Sequence, residues 1–72
     1  KKQFDIIFLD PPYKETKLEK LIGELQLKKI LKNNGILIIH RHKKQNDMFF
    51  KSLKILEEKK YGISKIFFCV YN

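Results

Sequence analysis

Ile6-Ile7-Phe8-Leu9 is an uninterrupted apolar run, and Asp10-Pro11-Pro12 ends it at once. A run of this length with no polar alternation suits a parallel strand covered on both faces. The two prolines have no N–H for a ladder, and each restricts the residue before it. The chain must therefore leave the sheet as a stiff, extended segment, with Asp10 at the carboxyl end of the strand and Tyr13 just beyond. In open α/β sheets that end is where ligands bind.

Asp-Pro and Pro-Pro also form ordinary turns. The apolar strand before them and the aromatic after them add a chemical use. An exocyclic amine on a flat base needs acceptors for its two hydrogens and a surface to stack on. The Asp10 carboxylate and the Pro11 carbonyl are acceptors, and Tyr13 is the surface.

Ile36-Leu37-Ile38-Ile39 is a second continuous apolar strand, running into His40-Arg41. Between the two, Leu18, Leu21, Ile22 and Leu25 recur at helical spacing and predict a helix over residues 17–25, with Thr16 and Glu19 as a capping pair. Leu27, Ile30 and Leu31 carry a second apolar face, read as a short helix ending at Lys32. Asn33-Asn34-Gly35 reads as a stop, with Gly35 in a left-handed position. Strand, helix and strand make a right-handed crossover that lays the two strands parallel. Asp10-Pro11-Pro12-Tyr13 and His40-Arg41-His42-Lys43-Lys44 then share one rim. Residues 40–44 form either a solvated loop or a patch that contacts phosphates. His40 and His42 fall on one side if the strand continues, and neither has an acidic partner evident in the sequence.

Asn46-Asp47 could cap a short helix carrying Met48, Phe49, Phe50 and Leu53, with the aromatics read as core residues. Ile66–Tyr71 is strongly β-prone. Tyr61-Gly62 before it reads as a turn, so residues 54–60 and 64–71 are expected to form an antiparallel hairpin. The fold class is thus α/β: two parallel strands, then a final hairpin.

Seventy-two residues allow one small domain. The chain enters a strand almost at once and has no initiator Met, so it reads as the carboxyl-terminal part of a longer protein, residues 1–72 being one portion of a single domain. The formal charge is +8, from sixteen Lys plus Arg against eight acids. That excess favours a polyanionic partner, although it also serves solubility. With one cysteine, Cys69, the chain can form no internal disulfide and no thiolate metal cluster. Cys69 reads as a small buried hydrophobe. Two histidines are too few for a zinc site without help from carboxylates, and no metal is expected. No segment has the length of a membrane span, and the expected location is the cytoplasm.

Asp10-Pro11-Pro12-Tyr13 matches the D-P-P-Y signature of amino-group methyltransferases that use S-adenosylmethionine. The whole chain resembles the carboxyl-terminal part of the RsmD family of 16S rRNA guanine-N2 methyltransferases. The likeness continues through the loop and helix, the Asn-Gly segment, the strand ending His40-Arg41, and Tyr61-Gly62-Ile63-Ser64 before the last strand. It implies a doubly wound, Rossmann-like sheet of seven strands, of which this chain holds the last four. It implies S-adenosylmethionine as cofactor, 16S rRNA or the small ribosomal subunit as partner, and a monomeric parent. By the same likeness Asp10, Pro11, Pro12 and Tyr13 are catalytic, and Asp10 also meets the cofactor. Tyr13, Lys14, His40, Arg41, Lys43, Lys44, Tyr61, Gly62 and Ser64 are the expected RNA contacts.

The glycine-rich loop that cradles the cofactor is not in this sequence: Gly23, Gly35 and Gly62 form no G-x-G pattern. The fragment alone is therefore expected to be inactive, and the unpaired edge of its first strand is expected to leave it partly unfolded, dimeric or aggregation-prone. Two other readings stay open, a methyltransferase of DNA adenine or another amine, and a non-catalytic basic module that binds nucleic acid.

Overall fold

A computed structural model describes residues 2–11, 17–44 and 51–72. In chain order the elements are β1 (Phe4–Leu9), α1 (Leu18–Leu27), β2 (Leu31–His42), β3 (Leu53–Tyr61) and β4 (Ser64–Tyr71). The four strands form one mixed sheet in the order β1-β2-β4-β3. β1 runs parallel to β2, β2 antiparallel to β4, and β4 antiparallel to β3. This is the architecture of the carboxyl-terminal part of a Rossmann-like methyltransferase sheet: two parallel strands joined through a helix, then a hairpin.

α1 forms where the sequence spaces its leucines one turn apart. Leu18 and Ile22 are buried, and Leu25 packs beside them. They meet Leu37 and Ile39 of β2, Phe67 and Cys69 of β4, and Leu53 of β3, all on one face of the sheet. The Tyr71 hydroxyl donates to the Ile22 carbonyl oxygen at 2.7 Å, fastening β4 to the helix. The helix begins from Lys17 with no side-chain cap. Thr16, the expected cap, lies outside the described residues.

Three expectations change. Leu31 does not end a second helix: Lys29 adopts φ 52°, which stops α1, and Leu31 opens β2 beside Phe4. Pairing with β1 thus overrides a helix-like spacing. Asn33-Asn34-Gly35 does not precede the strand but lies within it, as an irregularity. Phe4 pairs with Leu31 and Ile6 with Ile36, so five residues of β2 run from one pairing to the next, against two steps on β1. The left-handed residue is Asn34, at φ 65°, not Gly35.

The third change concerns β1. Ile7 and Leu9 pack on the core, whereas Phe4, Ile6 and Phe8 are 51%, 60% and 56% exposed. Among the described residues the run is covered on one face only. The hairpin forms as expected. Tyr61 pairs with Ser64 across Gly62 and Ile63, and Gly62 supplies the positive φ of 55°. Of the helix expected to carry Met48, Phe49, Phe50 and Leu53, the first three lie outside the described residues, and Leu53 instead opens β3, paired with Tyr71.

Candidate functional site

Two parallel strands in register must end on the same rim, and here they do. Leu9 pairs with Ile39, so Asp10 and His40 follow as neighbours. The strand alternation puts Leu37, Ile39 and Arg41 on the helix-covered face and turns Ile38, His40 and His42 to the other. His40 and His42 do share a side. Asp10 leaves β1 on that side too, where it meets the imidazole.

The Asp10 Oδ1 lies 2.8 Å from the His40 Nδ1. The other ring nitrogen, Nε2, lies 2.9 Å from the Ser64 Oγ. A carboxylate has no hydrogen to give, so Nδ1–H donates to Asp10, while Nε2 and the Ser64 hydroxyl share the second bond. His40 therefore does have an acidic partner, which its 30-residue separation from Asp10 hides in the sequence. The three side chains come from the end of β1, from β2 and from the first residue of β4. The Asp10 side chain is 63% exposed and that of His40 31%. Among the described residues only one oxygen of Asp10 is engaged. Its second oxygen has no partner among the described residues and can face a ligand at the rim.

The basic loop continues from this corner. Lys43 and Lys44 are exposed, and the Lys43 N–H donates to the Ile63 carbonyl oxygen at 2.6 Å, tying the loop to the hairpin turn. The Lys44 N–H donates to the His42 Nδ1. Tyr61 and Ile63 expose 57% and 62% of their surface at the same end of the sheet. Arg41 is placed differently from the lysines. It is 6% exposed, on the core face, so it does not offer its guanidinium to a phosphate as Lys43 and Lys44 can.

Pro11 is half-buried behind Asp10. Pro12, Tyr13 and Lys14 lie outside the described residues. Among those that are described, no cluster of His, Cys, Asp and Glu is placed to hold a metal ion, and no helix is long and apolar enough to cross a membrane. A groove of about 860 Å³ opens at the other end of the strands, lined by Gln3, Gln26, Lys32, Asn34 and Asn72 among others. It brings together amides and lysines, with no carboxylate or imidazole side chain among its lining residues.

Residues 1–70 match the family model described as "Conserved hypothetical protein 95". A Rickettsia prowazekii protein named as an uncharacterized methylase is 34% identical over 71 residues, which are 99% of this chain and 30% of that protein. The ribosomal RNA small subunit methyltransferase D of Buchnera aphidicola subsp. Acyrthosiphon pisum is 38% identical over 58 residues, 81% of this chain and 30% of its own length. Among solved structures, a conserved hypothetical protein of Streptococcus pyogenes matches with a TM-score of 0.83 and 32% identity, across 99% of this chain and 45% of that one. The chain thus spans about a third of the length of the curated relatives it matches.

Proposed function

This chain belongs to the Conserved hypothetical protein 95 family, and we propose that it forms the carboxyl-terminal part of an S-adenosylmethionine-dependent methyltransferase acting on the exocyclic N2 amine of a guanine in 16S rRNA. The observation that carries the reading is Asp10: an exposed carboxylate at the carboxyl end of a parallel strand, held through one oxygen and, among the described residues, open at the other. The relation to a protein named as a small-subunit rRNA methyltransferase supports the choice of substrate. The charge of +8 supports a polyanionic partner.

The cofactor would supply an electrophilic methyl group on a sulfonium centre. Of residues 1–72, Asp10 would meet one corner of it, and the rest of its cradle would come from residues outside this sequence. A guanine N2 amine is a poor nucleophile because its lone pair delocalises into the ring. The free Asp10 oxygen and the Pro11 carbonyl would accept its two hydrogens, letting nitrogen become tetrahedral and stabilising the charge that develops on it. Tyr13 would cover the flipped base, Pro12 would keep the corner stiff, and Lys14, Lys43, Lys44 and the Tyr61-Gly62 turn would meet the RNA backbone nearby. The whole enzyme would act as a monomer in the cytoplasm.

The test is single-turnover methylation by the full-length protein at saturating cofactor, on 16S rRNA, small ribosomal subunits and duplex DNA. Asp10→Asn puts a donor where the amine needs an acceptor, and the expected loss in kcat is about 10²–10³-fold. A rate within twofold or so of wild type removes Asp10 from the chemistry, since a preorganised contact is worth far more than that. Methylation of duplex DNA alone would overturn the rRNA reading.

A further inference from the structure

We infer that His40 is a positioning residue: locked by Ser64, it aims the Asp10 carboxylate at the incoming amine and does not touch the RNA itself. The inference rests on the methyltransferase reading above and changes the part expected of His40 and Ser64 within it.

Both ring nitrogens are spent inside the protein, Nδ1 on Asp10 at 2.8 Å and Nε2 on Ser64 at 2.9 Å. An imidazole with both nitrogens so engaged has no N–H left for a phosphate oxygen. The residue types and their order are those of a hydrolase triad, in which an acid orients a histidine that activates a serine. The exposure runs the other way. In such a triad the acid is the buried end and the serine is the working end. Here Ser64 is half-buried at the start of β4, His40 is intermediate, and the Asp10 side chain is 63% exposed. The open end of the chain of hydrogen bonds is the carboxylate, so Asp10 is what the other two support.

Support is needed because Asp10 follows the last paired residue of β1 and precedes a proline. Its side chain turns about two bonds, and in water the two oxygens would exchange freely. An N–H fixed on Oδ1 makes the oxygens inequivalent and gives Oδ2 one direction. The charge-assisted bond is stronger than a neutral one. The imidazole is itself held at both ends: the β2–β4 ladder pairs His40 with Ile66, and Ser64 lies two residues along on the same face. Misplacing a reacting group by an ångström can cost about 10²-fold, so this bracing bears directly on rate.

Three replacements of His40 in the full-length protein separate the roles. Asn places its amide N–H near the position of Nδ1 and keeps the donor to Asp10. Gln reaches toward the Nε2 position and keeps only the Ser64 side. Ala keeps neither. Single-turnover methylation of 16S rRNA should fall about 10–100-fold for Ala and Gln, while Asn stays within a few-fold of wild type. The loss should appear in kcat, with KM for RNA and its salt dependence unchanged. Equal rates for Ala, Gln and Asn overturn the inference. So does a loss confined to KM with a flatter salt dependence, which would make His40 an RNA contact. The imidazole ¹⁵N spectrum reads the contact without activity: wild type should carry a proton on Nδ1, and Asp10→Asn should move that signal. A ring protonated only at Nε2, or a spectrum that Asp10→Asn leaves unmoved, overturns the contact whatever the rates. A wild type that methylates no substrate overturns the methyltransferase reading, and the spectra still decide the contact.

Discussion

Cys69 is 1% exposed, on the core face of β4 between Phe67 and Tyr71. Burial pushes its thiol from 9.0 up to about 11, because the thiolate would lose its water. The sign follows from linkage: the neutral thiol is the form the fold favours. The stabilisation is therefore complete below about pH 9 and is lost as the pH rises through about 11. Two units correspond to roughly 3 kcal/mol at the alkaline end. Tyr71, pushed up by burial in the same way, adds to the loss above pH 10. Urea unfolding at pH 8 and pH 11 checks this, with Cys69→Val expected to lose less stability over the interval than wild type. Parallel curves for the two proteins would remove Cys69 as the cause. That Cys69 is buried can be read from its place in an apolar strand. That Asp10 meets His40 and not His42 cannot, since the pairing of Leu9 with Ile39 decides it, and no local pattern encodes a register between residues 30 apart.

The elements divide by how locally they are specified. α1 and the β3–β4 hairpin are readable because their signals, leucines one turn apart and a glycine turn between β-prone runs, act over a few residues. The stretch from Leu27 to Gly35 is not. Its apolar spacing suits a helix, but β1 offers Leu31 a strand partner, and the long-range ladder wins. Asn-Asn-Gly has the composition of a turn in either setting. What makes Gly35 necessary is crowding: a Cβ there would sit 2.6 Å from the Leu31 Cγ and 2.8 Å from the Lys32 carbonyl oxygen. Gly35→Ala should cost about 1–3 kcal/mol, because the backbone oxygen cannot step aside as a side chain can. Asn34→Gly should stay within about 1 kcal/mol of wild type, since glycine accepts the left-handed φ that Asn34 holds. Thermal unfolding of the two variants gives the comparison. A tolerated Gly35→Ala would contradict the close packing of this irregularity.

At the scale of the molecule the two edges of the sheet are unlike. β3 alternates Lys54, Glu57, Glu58, Lys59 and Lys60 along its length and is nearly all exposed, a composition that discourages a further strand. β1, Phe4–Leu9, ends the sheet on the other side with one acid and five hydrophobes. On its open face Phe4, Ile6 and Phe8 continue the half-buried Ile36, Ile38, Ile66 and Phe68 of β2 and β4. The 72-residue chain studied by itself is therefore expected to self-associate or aggregate through β1. Ile6→Lys, on the exposed face of that strand, should shift it toward monomer. Sedimentation velocity across a concentration series decides. A wild-type chain that stays monomeric and unfolds cooperatively would refute the expectation.

Ser64 and His40 belong to two strands and Asp10 follows a third, and the bonds between them span 24 and 30 residues of sequence. No single loop or hairpin owns the corner. A motif carried wholly by one loop can be transplanted between scaffolds or traded between genes as a cassette. Residues 10–13 cannot travel in this way, because the imidazole that steadies the acid and the hydroxyl that steadies the imidazole stay behind. Grafted after a strand of another sheet, the same four letters would carry a carboxylate that swings. The heritable unit is the whole sheet edge.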